Sequence, residues 1–147
     1  MTNLPTGTVT FLFTDIEGST QLWEKHPEEM KSALAKHDAI LKDTIESNSG
    51  HVIKTTGDGI HAVFAKAMDT VNATIQAQHI LQQTSEFFKN SEVSLRVRMG
   101  LHTGEAELRE NDYYGQSLNR AARIMAVGHG GHGMSESSAA FGARARW

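Results

Sequence analysis

Thr8-Val9-Thr10-Phe11-Leu12-Phe13-Thr14 alternates apolar and polar positions, with Val9, Phe11 and Phe13 on one face and the threonines and Leu12 on the other. That period of two predicts a strand with one buried face. It stops at Asp15-Ile16-Glu17-Gly18-Ser19, where Ser19 is the expected N-cap of a short helix carrying Leu22 and Trp23. Pro27 suits a first helical turn, and Glu28 and Glu29 behind it favour a helix N-terminus. Met30, Leu34, Leu41 and Ile45 then recur at helical spacing, with Gly50 expected to close the helix.

Two strand-like runs, His51–Thr55 and Ile60–Phe64, flank Thr56-Gly57-Asp58-Gly59, which predicts a hairpin. Met68, Val71 and Ile75, with Ala77 and Leu81, mark a second helix reaching about Phe88. Leu95, Val97, Met99 and Leu101 alternate with Arg96, Arg98, Gly100 and His102 as a further strand, on which Glu105–Arg109 is expected to pair back. A last helix is predicted from about Gln116 to Val127. The order is an α+β, ferredoxin-like split β-α-β-β-α-β core with an added helix. Residues 1–131 read as one domain, and 132–147, rich in Gly, Ala, Ser and Arg, as an atypical flexible tail.

Composition narrows the function classes. The 147 residues suit a single domain. Fourteen basic against seventeen acidic residues give a formal charge of −3, so no basic field advertises a nucleic-acid partner. The absence of cysteine excludes disulfides, thiolate metal sites and a cysteine nucleophile. No apolar run approaches the roughly 18 residues that insertion into a membrane would need, and Met1–Pro5 lacks the features of a secretory signal. A soluble cytoplasmic domain is therefore expected. The eight histidines show no zinc-ligand spacing with a second motif.

Chemistry concentrates at a few positions. Asp15 ends the first strand and Asp58 opens the third, and in a split βαβ sheet those strands are antiparallel neighbours, so the two carboxylates converge. At about 4 Å their repulsion is on the order of 4 kcal/mol at an effective dielectric of ~20, which a cation would relieve. Mg²⁺ prefers such oxygen donors and keeps positions free for water and phosphate. Two metals ~3.5–4 Å apart can clamp the attacking and leaving oxygens of a phosphoryl transfer. Spacing alone leaves open that Asp15 only caps a helix and Asp58 only makes a turn. The turn Ile16-Glu17-Gly18-Ser19-Thr20 offers backbone N–H groups that suit a phosphate, as do many ordinary turns. Asn119 and Arg123, four apart on one predicted helix, share a face and could meet charge developing on a phosphoryl group, or simply be solvated.

Three spaced segments resemble class III nucleotidyl cyclases: Phe13-Thr14-Asp15-Ile16-Glu17-Gly18-Ser19-Thr20, Lys54-Thr55-Thr56-Gly57-Asp58-Gly59, and Asp112-Tyr113-Tyr114-Gly115-Gln116-Ser117-Leu118-Asn119-Arg120-Ala121-Ala122-Arg123. The likeness runs from about Gly7 to Gly131. It implies that Asp15 and Asp58 bind two Mg²⁺ or Mn²⁺ ions per site, with the Ile16 carbonyl as a further ligand. Arg98 would contact a substrate phosphate, the group for which the Gly18, Ser19 and Thr20 turn is read above as a candidate binding segment. Lys54 and Asp112 match the pair that selects adenine, where guanylate cyclases typically carry an acidic residue and a small polar or Cys residue. Asn119 matches the residue that orients the ribose, and Arg123 the one that stabilises the transition state.

The donor and acceptor of Lys54 and Asp112 complement the adenine edge and mismatch guanine at position 6. The resemblance further implies a head-to-tail homodimer in which one protomer supplies the metal aspartates and its partner Lys54, Asp112, Asn119 and Arg123. The expected activity is adenylate cyclase, turning ATP into cyclic AMP and pyrophosphate. The alternative is a catalytically silent cyclase homology domain that binds nucleotide or a partner. One departure bears on that choice: relatives end in a hairpin carrying a lysine that meets the triphosphate, a hairpin that reads as missing here, and no lysine follows Lys89.

Overall fold

The computed structural model describes residues 4–87, 95–110, 112–114 and 138–141. The chain runs β1 (Gly7–Ile16), α1 (Ser19–Lys25), α2 (Pro27–Ser47), β2 (Gly50–Thr56), β3 (Gly59–Phe64), α3 (Ala67–Phe87), β4 (Val97–Arg109), β5 (Asp112–Tyr114) and β6 (Ser138–Phe141). The strands form one sheet in the order β2-β3-β1-β4-β5, with β6 also on β4. The first four strands in that order, antiparallel throughout, are the expected split β-α-β-β-α-β core. The added helix expected at 116–127 lies outside the described residues. The expected tail 132–147 contains β6, which pairs Ser138–Phe141 antiparallel with His102–Met99.

β1 sits between β3 and β4, and that central place decides its burial. The expectation of one buried face is corrected. Leu12 and Ile16 enter a core with Met30, Leu41 and Ile45 of α2, Ala73, Ala77 and Leu81 of α3, and Val97, Met99 and Leu101 of β4. Val9, Phe11 and Phe13 form a second core on the opposite face with Val63 and Tyr113. The polar positions of β1 are absorbed by hydrogen bonds. The Thr10 and Thr103 hydroxyls lie 2.8 Å apart, and the Ile60 N–H donates to Thr14 Oγ1 at 3.1 Å. Buried hydroxyls need such partners, because leaving one unmet costs about 1–3 kcal/mol.

Three local expectations are corrected. Ser19 is not the N-cap of α1; Gly18 is, at φ 68°, and it makes no side-chain cap bond. A left-handed residue there favours glycine, and the Ser19 hydroxyl is engaged elsewhere, as described below. Gly50 does not close α2. Asn48 and Ser49 make that turn, Ser49 at φ 66°, and Gly50 already belongs to β2. Glu105–Arg109 does not fold back. It continues β4, where Glu105 and Ala106 pair with Thr8 and Gly7, while β5 makes the return and pairs Tyr114 with Glu107.

The helices differ from their apolar stripes in an instructive way. On α2 the inward face also carries His37, which is fully buried, and Thr44. On α3 the inward face is Thr70, Ala73, Thr74, Ala77, Gln78 and Leu81, whereas Met68 and Ile75 are 65% and 62% exposed. Small residues let α3 lie close to the sheet, and Gln78 donates from Nε2 to the Val97 carbonyl at 3.0 Å.

Candidate active site

The site grows out of the junction of β1, the β2–β3 turn and β4. β2 and β3 are joined by Gly57 and Asp58 alone, since Thr56 pairs with Gly59. Thr14 of β1 pairs with Ile60 of β3, so the end of β1 lies beside that turn. Gly59 permits the approach: a Cβ on it would stand 2.6 Å from the Thr14 carbonyl oxygen and 2.8 Å from Thr56 Oγ1. On the other side, Asp15 faces Arg98 of β4 and Ile16 faces Val97. The ladder runs one step further, with the Glu17 N–H donating to the Arg96 carbonyl at 2.8 Å.

Arg98 grips Asp15 with both arms of its fork. Nε donates to Oδ1 at 2.7 Å and Nη2 to Oδ2 at 2.5 Å. Both side chains are partly buried, and a bidentate guanidinium–carboxylate pair is among the strongest polar contacts available to a protein. The hydrogen bonds to Asp15 hold the Arg98 pKa above the ordinary arginine value. Burial opposes this, and the charges of Asp15, Glu17 and Asp58 add to it. Asp58 is held separately: Ser19, the first residue of α1, donates from Oγ to Asp58 Oδ2 at 2.7 Å. His37, fully buried on α2, is pushed below its usual pKa, chiefly by burial, while its hydrogen bond to Asp38 and the charges of Asp38 and Asp58 pull the other way.

Asp15, Ile16, Gly18, Ser19, Asp58 and Arg98 therefore gather at one end of the sheet, with the exposed Thr20 in the first turn of α1. Lys54 stands apart on β2, exposed and paired in register with His61, just after an irregularity between Val52 and Lys54 that shifts the strand by one residue. Such a bulge re-aims the side chains after it. Asp112 opens β5, pairing with Arg109 at the far end of β4. Asn119 and Arg123 lie outside the described residues. Sequence reasoning missed His37 and the link from Ser19 to Asp58. A histidine in the apolar stripe of α2 was the available signal for the first, and nothing local signals the second.

Among the described residues no group of three or more His, Asp or Glu side chains is arranged to hold a metal ion. The donor set nonetheless fits a hard divalent cation. Two carboxylates and a strand-end carbonyl are oxygen ligands of the kind Mg²⁺ and Mn²⁺ take. The field at Arg98, built by Asp15, Glu17 and Asp58, already favours positive charge there.

The family model for the adenylate and guanylate cyclase catalytic domain matches residues 1–141, and the chain belongs to that family. It is 38% identical over 129 residues to an uncharacterised protein of Mycobacterium tuberculosis, covering 86% of this chain and 42% of that one. It is 36% identical over 149 residues to an adenylate cyclase of Neurospora crassa, covering 86% of this chain and 6% of the fungal protein. The chain thus spans less than half the length of either relative. Among solved structures, an adenylate cyclase of Trypanosoma brucei superposes with a TM-score of 0.68 at 28% identity, over 86% of this chain and 71% of that one. An adenylate/guanylate cyclase/hydrolase of Silicibacter pomeroyi gives 0.69 at 25% identity, over 82% and 69%.

Proposed function

We propose that the chain is the catalytic domain of an adenylate cyclase. It would convert ATP to 3′,5′-cyclic AMP and pyrophosphate at the interface of a head-to-tail homodimer, with two Mg²⁺ or Mn²⁺ ions per site. The observation that carries the reading is the gathering of Asp15 and Asp58 around Arg98 at one end of the sheet. A relative named adenylate cyclase, 36% identical, supports the choice of nucleotide.

In this reading Asp15, Asp58 and the Ile16 carbonyl would hold the metal ions. Bound there, the ions would neutralise triphosphate charge and ease loss of the proton from the attacking hydroxyl. Ser19 keeps Asp58 in place through its 2.7 Å hydrogen bond. The reaction is an internal displacement, in which the ribose 3′-oxygen attacks the α-phosphorus and pyrophosphate leaves. The partner protomer contributes the rest. Lys54 donates to and Asp112 accepts from the adenine edge, Asn119 orients the ribose, and Arg123 meets the charge that develops on the α-phosphoryl group. Gly18, Ser19 and Thr20 line the phosphate end. Catalysis of this kind belongs in the cytoplasm, where ATP is abundant. No helix among the described residues is long and apolar enough to cross a membrane.

The test is an assay of the purified chain with ATP or GTP and Mn²⁺ over a range of protein concentrations. Cyclic AMP from ATP, little cyclic GMP, and a rate rising as the square of protein concentration at the low end are expected. Binding of nucleotide without any cyclic product would instead favour the silent homology domain.

A further inference from the structure

The pair formed by Arg98 and Asp15 puts a fixed positive charge on the carboxylate best placed to bind a cation. The two residues face each other across β1 and β4, and the fork occupies both Asp15 oxygens. A divalent ion on either oxygen would sit within a few ångströms of the guanidinium. That charge cannot be removed by losing a proton, because arginine stays protonated in proteins. It can leave only by moving. The second carboxylate offers no comparable obstacle, since Ser19 holds Asp58 Oδ2 by a neutral hydroxyl.

We propose that Arg98 is an internal counter-ion that a divalent cation must displace from Asp15, so that the native side chain lowers the cation affinity of the site and acts as its gate. This rests on the reading of Asp15 as a metal ligand given above. Three features agree with it. The contact is bidentate, so two charge-assisted hydrogen bonds have to break together. Arg98 is partly accessible, so a swing away from Asp15 need not open the core. Asp15, Glu17 and Asp58 all act on the guanidinium, so its departure takes one positive charge away from three acidic side chains.

The experiment reads Mn²⁺ binding to the whole chain directly, by the loss of the free-ion electron paramagnetic resonance signal, with no nucleotide present. Arg98→Gln should bind Mn²⁺ about tenfold more tightly than the native chain, about 1.4 kcal/mol. Arg98→Lys keeps the charge but loses the fork, and should shift binding in the same direction by less. It carries the test should the glutamine variant fail to fold by circular dichroism. Adding Asp15→Asn to Arg98→Gln should return binding to the native level or below. Unchanged or weaker Mn²⁺ binding in a folded Arg98 variant overturns the gate. The metal-site reading survives that result if Asp15→Asn alone still weakens Mn²⁺ binding. If Asp15→Asn changes Mn²⁺ binding in neither background, the metal-site reading is wrong and the gate falls with it.

Discussion

Ser19 and Asp58, 39 residues apart in sequence, are joined by a hydrogen bond of 2.7 Å from the serine hydroxyl to Oδ2. The bond ties the first turn of α1 to the β2–β3 hairpin and limits how far the carboxylate can rotate. Groups that orient a metal ligand typically matter by 10–100-fold in metal affinity or activity. Ser19→Ala should therefore raise the Mn²⁺ concentration for half-maximal cyclase rate by about tenfold, with the melting temperature little changed. An unaltered metal dependence would mean that Asp58 needs no such hold.

Complementation probes the shared site. In the proposed site Asp15→Ala would remove the metal half and Arg123→Ala the transition-state half. In a head-to-tail dimer of the two variants both lesions fall in one site and the other stays whole. Activity should reappear on mixing, at roughly half the native rate per mixed dimer for two independent sites related by a two-fold axis. Mixed dimers that sediment as such yet make no cyclic AMP would argue against an interfacial site.

Purine choice can be reversed chemically. If Lys54 and Asp112 read the base as proposed, Lys54→Glu with Asp112→Cys would exchange the donor and acceptor offered to it. ATP should lose about 1–3 kcal/mol of recognition, near tenfold or more in kcat/KM, and GTP should gain some. A constant ATP:GTP ratio in the double variant would remove both residues from base recognition.

Gly59→Ala tests the packing that brings β1 to the hairpin. The added methyl would lie 2.6 Å from the Thr14 carbonyl oxygen, a backbone atom that cannot swing aside. Overpacking of this kind costs about 1–3 kcal/mol, and cyclase activity should fall with it because Asp15 and Asp58 lose their mutual placement. A chemical-denaturation curve coincident with the native one would show that the junction relaxes freely.

His37 should make stability fall on the acid side of neutrality. Its pKa is lowered in the folded chain from 6.5 by burial, so the unfolded chain binds the proton more readily. The stabilisation is therefore complete above about pH 6.5 and is lost as the pH falls from there through the depressed folded value. His37→Leu, which removes the titrating ring from a fully buried position, should flatten this part of the melting-temperature profile. An identical acid slope in the variant would place the effect on other groups.

Much of the architecture is legible along the chain. β1, the β2–β3 hairpin and the approximate extents of α2 and α3 follow from periodicity, glycine placement and Pro27, all of which act within a few residues. The placement of Asp15 and Asp58 at one end of the sheet follows from strand order. What does not follow is local in a different sense. Ser19 has the chemistry of a cap, yet Gly18 takes that position because the left-handed backbone there suits glycine and the hydroxyl has a distant carboxylate to bind. Glu105–Arg109 has the polar character of a turn or edge, yet it stays in β4 because β1 and β5 supply partners for its backbone.

By itself the sequence determined the strand–helix order, the oxygen-rich character of the site and the family motifs, because these depend on residue type and on spacing over short distances. Only the tertiary structure decided that β1 is buried on both faces, that the Ser19 hydroxyl binds Asp58, and that Arg98 closes on Asp15. The physical reason is common to all three. Burial and charge pairing are properties of neighbours brought together across the sheet, Asp15 and Arg98 being 83 residues apart, and no pattern within either strand carries the identity of its partner.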